Sequence, residues 1–318
     1  MMRVDVHHHF LPPAHVANEA GRIKNAHATP QARLAGWSPQ RALDVMDENG
    51  IDFAIASIST PGVWFGDTKI AAEIAWNWND YAAVQTQAHP DRFGFFATLP
   101  LPAQDESLRE LERTLGSLHA DGVALFTNYD GRYPGDPAFT PVFEELNRCA
   151  ALVYIHPTFP AYGETVPGVM PHVVEFSFET ARAIISLLVS GAVVKYPRIR
   201  WMFSHAGGAL PVLVDRLERL LETPEHAEAI PQGVCAALSH LHFDIAGASS
   251  DIALAALRAT VPVSQIFYGS DAPFVAPQKG IASLAHASLT VDERAAIDHG
   301  NALRLLPRLA GLKRRLAR

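Results

Sequence analysis

The chain has 318 residues, of which 48% are hydrophobic and 19% are charged. This composition can build a sizeable apolar core, and it excludes a disordered or fibrous protein. The net charge of −7 argues against nucleic acid as a partner, because nucleic-acid-binding domains usually carry a basic footprint.

Cysteine is scarce and histidine is abundant, with 2 and 15 residues respectively. Cys149 and Cys235 could form at most one bridge, so we expect no disulfide framework. The longest apolar run, residues 183–194, is shorter than the roughly 20 residues that cross a bilayer. No secretory apolar segment follows Met1. We therefore expect a cytoplasmic protein that makes no membrane contact.

Short apolar runs rich in β-forming residues recur along the chain and predict eight strands. They are residues 3–6, 53–57, 94–98, 122–126, 152–156, 200–204, 241–245 and 266–269. Segments with helical spacing lie between them and predict helices over residues 39–49, 68–88, 107–118, 137–150, 179–190, 209–221 and 251–259.

Strands that alternate with helices indicate parallel pairing with right-handed crossovers. Eight such units in about 300 residues fit an α/β fold of the (β/α)8 TIM-barrel type, distorted and forming a single domain over residues 1–318. A doubly wound sheet is the alternative. The glycine-rich phosphate turn expected after its first strand is absent, and a run of three histidines beginning at His7 stands there instead.

Several predicted strands end in residues that can bind metal. His7 and His9 share one face of the first strand because they are two residues apart, whereas His8 faces the other way. His156 ends the fifth strand, and Asp271 follows the eighth. In a barrel these strand ends meet at the catalytic face. We therefore predict a metal centre formed by His7, His9, His156 and Asp271.

Three imidazoles and a carboxylate suit a borderline divalent ion, Zn²⁺ first, with Mn²⁺ or Fe²⁺ as alternatives. His205 follows the sixth strand and precedes Gly207 and Gly208. It could be a fifth ligand or a general base beside the metal, and we favour the second role.

The motifs resemble one family in chain order over nearly the whole length. His7-x-His9, His156-Pro157, the His205-Ala-Gly-Gly segment, Gly-Ser-Asp271-Ala-Pro-Phe and Gly300-Asn-Ala are similar to the amidohydrolase-2 group of the amidohydrolase superfamily. Its nearest branches are metal-dependent, non-oxidative decarboxylases of aminocarboxymuconate semialdehyde, γ-resorcylate, 5-carboxyvanillate and 6-methylsalicylate.

The resemblance implies a carboxy-lyase acting on a small hydroxylated aromatic or unsaturated carboxylate. It implies metal ligation by His7, His9, His156 and Asp271, and a catalytic role for His205 and Asp271. In the aromatic branch Asp271 would protonate the ring carbon, whereas in the semialdehyde branch a metal-bound water activated by His205 would do more of the work, and the sequence leaves both open. Dinuclear members of the superfamily use a lysine near the end of the fourth strand, where this chain has Phe126, Thr127 and Asn128. One metal ion is therefore expected.

The family is usually dimeric or tetrameric, which implies a homodimer or homotetramer. Arg216 matches an arginine that reaches a neighbouring subunit's substrate carboxylate in the semialdehyde branch. The alternative is an ordinary charge on the helix predicted over residues 209–221. Arg33 is a candidate for the second substrate arginine of that branch.

Aromatic and amide residues that follow the strands are candidates for a substrate pocket, or for ordinary packing. They are Trp64, Phe126, Asn128, Phe159 and Phe274. Asp244, near the end of the seventh strand, could orient a ligand histidine or cap the next helix.

The same ligands would support a metal-dependent hydrolase of a lactone or amide, because fold alone does not determine the reaction. A barrel that binds a ligand without catalysis is a third hypothesis, which the complete ligand set argues against.

Overall fold

Eight parallel strands follow one another around a single sheet in chain order. The computed structural model describes residues 2–12, 36–161 and 166–309. The strands are β1 (Val4–His9), β2 (Phe53–Ser57), β3 (Phe93–Thr98), β4 (Gly122–Phe126), β5 (Leu152–His156), β6 (Arg200–Phe203), β7 (His242–Asp244) and β8 (Ile266–Phe267). All eight coincide with predicted strands to within three residues at either end.

The sheet closes because the chain after β8 returns to β1. The Val6 amide donates to the Tyr268 carbonyl at 3.0 Å, and the His9 amide donates to the Ala272 carbonyl at 2.8 Å. A parallel bridge also joins His8 to Ala272. The predicted (β/α)8 barrel is therefore confirmed.

Helices cover the outside of the barrel between the strands. The α-helices are α1 (Pro39–Glu48), α2 (Thr68–Ala88), α3 (Gln104–Gly116), α4 (Thr140–Arg148), α5 (Pro171–Val189), α6 (Ala192–Lys195), α7 (Val214–Leu217), α8 (Pro224–Ala229), α9 (Val234–Leu238), α10 (Asp251–Thr260), α11 (Pro277–His286), α12 (Val291–Ala295) and α13 (Asn301–Leu305). Ser38 caps α1 by accepting the Arg41 amide hydrogen, as the Ser-Pro start predicts.

Two predicted helices show the largest differences from the structure. Helix α5 begins eight residues before residue 179, at Pro171, because a proline is accepted in the first turn. The predicted helix 209–221 is wrong as a continuous element: it divides into the 3₁₀ turn Leu210–Val212, helix α7 and the 3₁₀ segment Glu218–Glu222. Apolar residues three and four apart suit α and 3₁₀ turns alike, so periodicity did not separate them.

A register shift in β1 aims both His7 and Val6 into the barrel. Asp5 is paired with Ala54 and His8 with Ala56, so three steps on β1 match two on β2. Val6 therefore packs in the interior cluster with Tyr154 of β5, while His7, the next residue, also faces inward. Strict alternation along β1 would have sent one of them outward.

The end of helix α13 and the residue after it close the amino-terminal end of the barrel. Leu305 and Leu306 pack with Val4 and Phe53, which lie at the starts of their strands. Arg200, at the start of β6, donates to the Leu305 carbonyl at 2.7 Å. The opposite end, where the strands finish, is left for the polar residues. Among the described residues, no helix is both long and apolar enough to cross a membrane.

Candidate active site

The carboxyl ends of β1, β5 and β8 bring the four predicted ligands together. One candidate ligand atom from each of His7, His9, His156 and Asp271 lies within 4.8 Å of the other three. The three imidazoles are buried, and the Asp271 side chain is 16% exposed. We call these four residues the ligand cluster.

Each of the three imidazoles in the ligand cluster is oriented by a contact of its own Nδ1 atom. Each Nδ1 atom faces an oxygen acceptor: Asp244 Oδ2 for His7 at 3.1 Å, the Ser57 carbonyl for His9 at 3.1 Å and the Pro157 carbonyl for His156 at 2.8 Å. A carbonyl can only accept, so Nδ1 carries the hydrogen and Nε2 carries the lone pair.

The free nitrogens converge. The Nε2 atoms of His7 and His9 are 3.1 Å apart, and Asp271 Oδ1 lies 3.4 Å from the first and 3.2 Å from the second. Lone pairs that meet at this distance repel each other unless a proton or a cation lies between them. This donor set therefore fits a divalent ion, and it has the composition of known His and carboxylate metal sites.

The electrostatics of the ligand cluster keep Asp271 ionised. Burial would raise the pKa of its carboxyl, but hydrogen bonds and charge from His7 and His9 hold that pKa well below its usual range. Burial and the neighbouring imidazoles of His9, His7 and His205 lower the pKa of His156 well below its usual value. A carboxylate and a neutral imidazole are the forms that bind a cation.

Asp244 is tied to His7 by both of its oxygens. It also accepts hydrogen bonds from the Tyr154 hydroxyl at 3.0 Å and from the Ala246 amide at 2.9 Å. Helix α10 is capped by Ser250 instead. The sequence left two roles open for Asp244, and the structure shows that it orients the ring of His7.

Asp271 is fixed through the closure of the barrel. Its amide donates to the His7 carbonyl at 2.8 Å. The preceding Ser270 donates to Asp5 through its amide at 3.0 Å, and Asp5 also accepts the His7 amide hydrogen at 3.1 Å. Asp5 thus holds the backbones of β1 and the β8 loop in register.

His205 lies beside the ligand cluster and outside the four-residue group. Its ring centroid is 4.9 Å from that of His7. Its Nδ1 atom faces the Ala246 carbonyl at 2.8 Å, which leaves Nε2 as the acceptor. The backbone after it turns through Gly208 at φ +62°, where a Cβ atom would collide with the Ser177 carbonyl. Glycine at position 208 is therefore required for the turn that follows His205.

A cavity of about 230 Å³ lies among the loops that follow β2, β4 and β5. Four of the predicted pocket residues line it: Trp64, Phe126, Asn128 and Phe159. The Phe126 ring lies 6.1 Å from that of His156, which links the cavity to the cluster. Phe274 packs against His9 instead, with ring centroids 5.2 Å apart.

The structure does not bring Arg216 into this arrangement. Arg216 lies on α7 with an exposed side chain, and within the described ranges it makes no ion pair. Arg33 lies outside the described residues.

A larger cleft, of about 480 Å³, lies at the other end of the barrel. Gly122, Leu152 and Arg200, the first residues of β4, β5 and β6, line it. Parallel barrels carry their chemistry at the carboxyl ends of the strands. We therefore place the candidate active site at the ligand cluster and the smaller cavity.

Comparison with known proteins assigns the family. The model of the amidohydrolase family matches residues 4–308 of this chain. The chain belongs to the amidohydrolase family. Similar sequences include the 6-methylsalicylic acid decarboxylase of Penicillium expansum, with 33% identity over 98% of this chain and 98% of that protein.

Solved structures agree with the family. The crystal structure of an amidohydrolase II is 30% identical, with a TM-score of 0.88, covering 96% of this chain and 99% of that one. The 5-carboxyvanillate decarboxylase of Novosphingobium aromaticivorans, solved with manganese and a nitrobenzoic acid, gives a TM-score of 0.87 at 21% identity, with 96% of both chains covered. At 21% identity, the similarity to the 5-carboxyvanillate decarboxylase shows only that the two proteins share a fold.

Two residues that shape this amidohydrolase site were not predicted from the sequence. Tyr154 precedes the ligand His156 by two residues and so shares its inward face, but nothing in the pattern pointed to its bond with Asp244. Glu179 lies in α5 and is fully buried behind Asn128, whereas a charged residue on a helix is usually exposed.

Proposed function

We propose that this amidohydrolase is a metal-dependent, non-oxidative decarboxylase of a small hydroxylated aromatic carboxylate of the salicylate type. The carboxy-lyase class follows from its relatives, which include a 6-methylsalicylic acid decarboxylase over nearly its full length. The observation that carries the proposal is the ligand cluster beside an aromatic cavity at the carboxyl ends of the strands.

His7, His9, His156 and Asp271 would hold one divalent ion, with Zn²⁺ as our first choice and Mn²⁺ or Fe²⁺ as alternatives. Three Nε2 lone pairs and one carboxylate oxygen suit these borderline ions. When bound, the ion would supply positive charge that attracts the substrate's oxygens and stabilises negative charge that develops on them.

The neighbouring cavity suits a small aromatic ring. Its volume of about 230 Å³ is below the range of roughly 300–1,000 Å³ typical of drug-sized ligands. Trp64, Phe126 and Phe159 supply the aromatic surface that packs against such a ring. We propose that a substrate ring placed here lies against Phe126, whose ring is 6.1 Å from that of His156, with its carboxylate and adjacent hydroxyl towards the ligand cluster.

Asp271 would move the proton that the reaction requires. Its carboxylate is ionised, so it first accepts a proton from the substrate's acidic oxygen and then delivers it to the ring carbon that bears the carboxylate. The bond to the carboxylate then breaks, CO2 leaves, and the bonding electrons return to the ring. The proton at the ring carbon replaces the lost carboxylate, the product forms as its phenolate, and a proton from water then gives the phenol, so the reaction balances without an oxidant or reductant.

His205 would assist that transfer. Its Nδ1 atom is committed to the Ala246 carbonyl, so Nε2 is the atom that would pass a proton from water to the phenolate oxygen of the product. The 4.9 Å between the ring centroids of His205 and His7 places it against the ligand cluster. We assign His205 as a catalytic residue and not as a metal ligand.

A panel of substrates tests this function. Purified protein loaded with Zn²⁺ or Mn²⁺ would be given 6-methylsalicylate, salicylate and 2,6-dihydroxybenzoate, with CO2 measured directly, and a set of lactones and amides with hydrolysis measured. We expect CO2 and the matching phenol from at least one acid. Hydrolysis of a lactone or amide, with no CO2 from any acid, would contradict the proposal and identify the protein as a hydrolase.

Several sequence-based expectations stay predictions. They are a single domain over residues 1–318, a cytoplasmic location, a homodimer or homotetramer, and a role for Arg216 at a neighbouring subunit's site. The substrate-binding roles of Trp64, Phe126, Asn128, Phe159 and Phe274 also belong to the proposal.

A further inference from the structure

Glu179 is a buried carboxylate that takes no part in the ligand cluster. Its side chain is 0% exposed, and its oxygens accept three hydrogen bonds: from Asn128 Nδ2 at 2.6 Å, from the Tyr133 hydroxyl at 2.8 Å and from Arg182 at 2.8 Å. A buried carboxylate is unfavourable unless its oxygens are bonded, so these contacts must be kept together in the fold.

Asn128 carries the effect of Glu179 to the aromatic cavity. It lines the cavity, and its Nδ2 atom also donates to the Phe159 carbonyl at 3.0 Å. Its Oδ1 atom accepts the Gly131 amide hydrogen at 3.3 Å. Both donors and the acceptor are used within the protein, so Asn128 fixes the loops after β4 and β5 and does not need a bond from a ligand.

Helix α5 reaches the same wall by a second contact. The ring of Phe176, three residues before Glu179, lies 5.7 Å from the ring of Phe159. One helix therefore supports the cavity wall both through an apolar contact and through a hydrogen-bonded carboxylate.

We propose that Glu179 is a positioning residue, which sets the aromatic cavity through Asn128 and thereby sets the affinity for aromatic acids. This rests on the proposed function, in which the substrate ring occupies that cavity. Loss of one acceptor oxygen at residue 179 would release Asn128 and the Phe159 carbonyl, so the wall of the cavity would move. The groups that transfer the proton would not be changed.

The chain contains a matched control. Glu110 in α3 is also buried, accepts a hydrogen bond from Asn79 Nδ2 at 2.6 Å, and pairs with Arg113 three residues later at 2.7 Å. Asn79 in turn bonds the backbone of Thr98 at the end of β3. Glu110 and Asn79 do not line the cavity, so Glu110→Gln removes an equivalent contact away from it.

The test compares Glu179→Gln with Glu110→Gln in the metal-loaded full chain. Calorimetry would give the Kd of 6-methylsalicylate, and steady-state CO2 release would give kcat and KM. We expect a similar fall in Tm for both variants, but a rise in Kd and KM of about tenfold for Glu179→Gln alone, with kcat within about twofold. An unchanged Kd, or an equal change in Glu110→Gln, would overturn the proposal.

Tyr133→Phe is a milder second variant if Glu179→Gln does not fold. It removes one donor to Glu179 and keeps the ring, so we expect the Kd to rise by about two- to threefold. No rise would count against the proposal. A wild type that binds 6-methylsalicylate but releases no CO2 would defeat the proposed function, while the Kd comparison would still decide the role of Glu179. A wild type that does not bind the acid would overturn both.

Discussion

His7 Nδ1 lies 3.1 and 3.2 Å from the two carboxylate oxygens of Asp244, with both side chains fully buried. This contact fixes which nitrogen of His7 faces the ligand cluster. Burial would lower the pKa of His7, but the charge and hydrogen bonds of Asp244 and Asp271 raise it to about 10. The same negative charge that holds a proton there would hold a cation.

Asp244→Asn should weaken metal binding. The amide keeps one acceptor oxygen but removes the charge, so we expect the affinity for Zn²⁺ or Mn²⁺ to fall by about 10–100-fold, as is usual when the partner of a ligand histidine is changed. Competition with a chromophoric chelator measures this. Asp121→Asn is the control, because Asp121 is a largely buried carboxylate paired with Arg308 and away from the cluster. Equal affinities for wild type and Asp244→Asn would contradict the role of Asp244.

His156→Ala and His205→Asn should have different effects. Removal of a ligand in His156→Ala should abolish metal binding and activity, with the fold largely intact. His205→Asn should keep the metal and lower turnover by about 10²–10⁴-fold, the usual contribution of a general acid or base. Elemental analysis and CO2 release on both variants give the comparison. Metal loss in His205→Asn would make that residue a ligand.

Metal should stabilise the fold through the ligand cluster. A ligand that binds the folded state alone adds about 2.7 kcal/mol of stability at a concentration of about 100 times its Kd, which corresponds to a rise of about 5 °C in Tm. Calorimetric scans of stripped and reloaded protein measure it. Asp271→Ala should show no such rise, and a rise of equal size in that variant would place the ion elsewhere.

His242 should make stability depend on pH. Burial, with a smaller contribution from the charge of Arg200, lowers its pKa to about 4, although its bond to the Trp201 carbonyl opposes the shift. Below pH 6.5 the unfolded chain binds a proton that the folded chain does not, so stability falls as the pH drops from about 6.5 towards 4, by at most about 3 kcal/mol. His242→Gln should lose less stability than wild type between pH 7 and pH 5 in urea unfolding. Parallel losses in the two proteins would contradict this assignment.

Much of the barrel could be predicted because each strand is short, apolar and followed by a helical period. Residues 53–57, 122–126 and 152–156 match their observed strands at both ends. The same alternation placed His7, His9, His156 and Asp271 at one end of the barrel, where the structure brings them together. Position at a strand end was the informative signal, since most of the 15 histidines lie elsewhere.

Contacts between distant segments could not be predicted from the residue pattern of individual strands. The register shift between Asp5 and His8 depends on pairing with β2, and the choice of Asp244 over helix capping depends on the barrel closing around His7. The burial of Glu179 also depends on a contact between distant segments, because the loop that carries Asn128 folds onto α5. Local periodicity contains no information about these pairings.

The most direct test of the central claim follows the fate of the ring carbon in D2O. Metal-loaded protein would be given 6-methylsalicylate, with CO2 measured and the phenol analysed by mass spectrometry and NMR. The account predicts equal amounts of CO2 and phenol, with a single deuterium at the carbon that carried the carboxylate, and neither product from His156→Ala. CO2-free turnover, or a phenol without deuterium at that carbon, would contradict it.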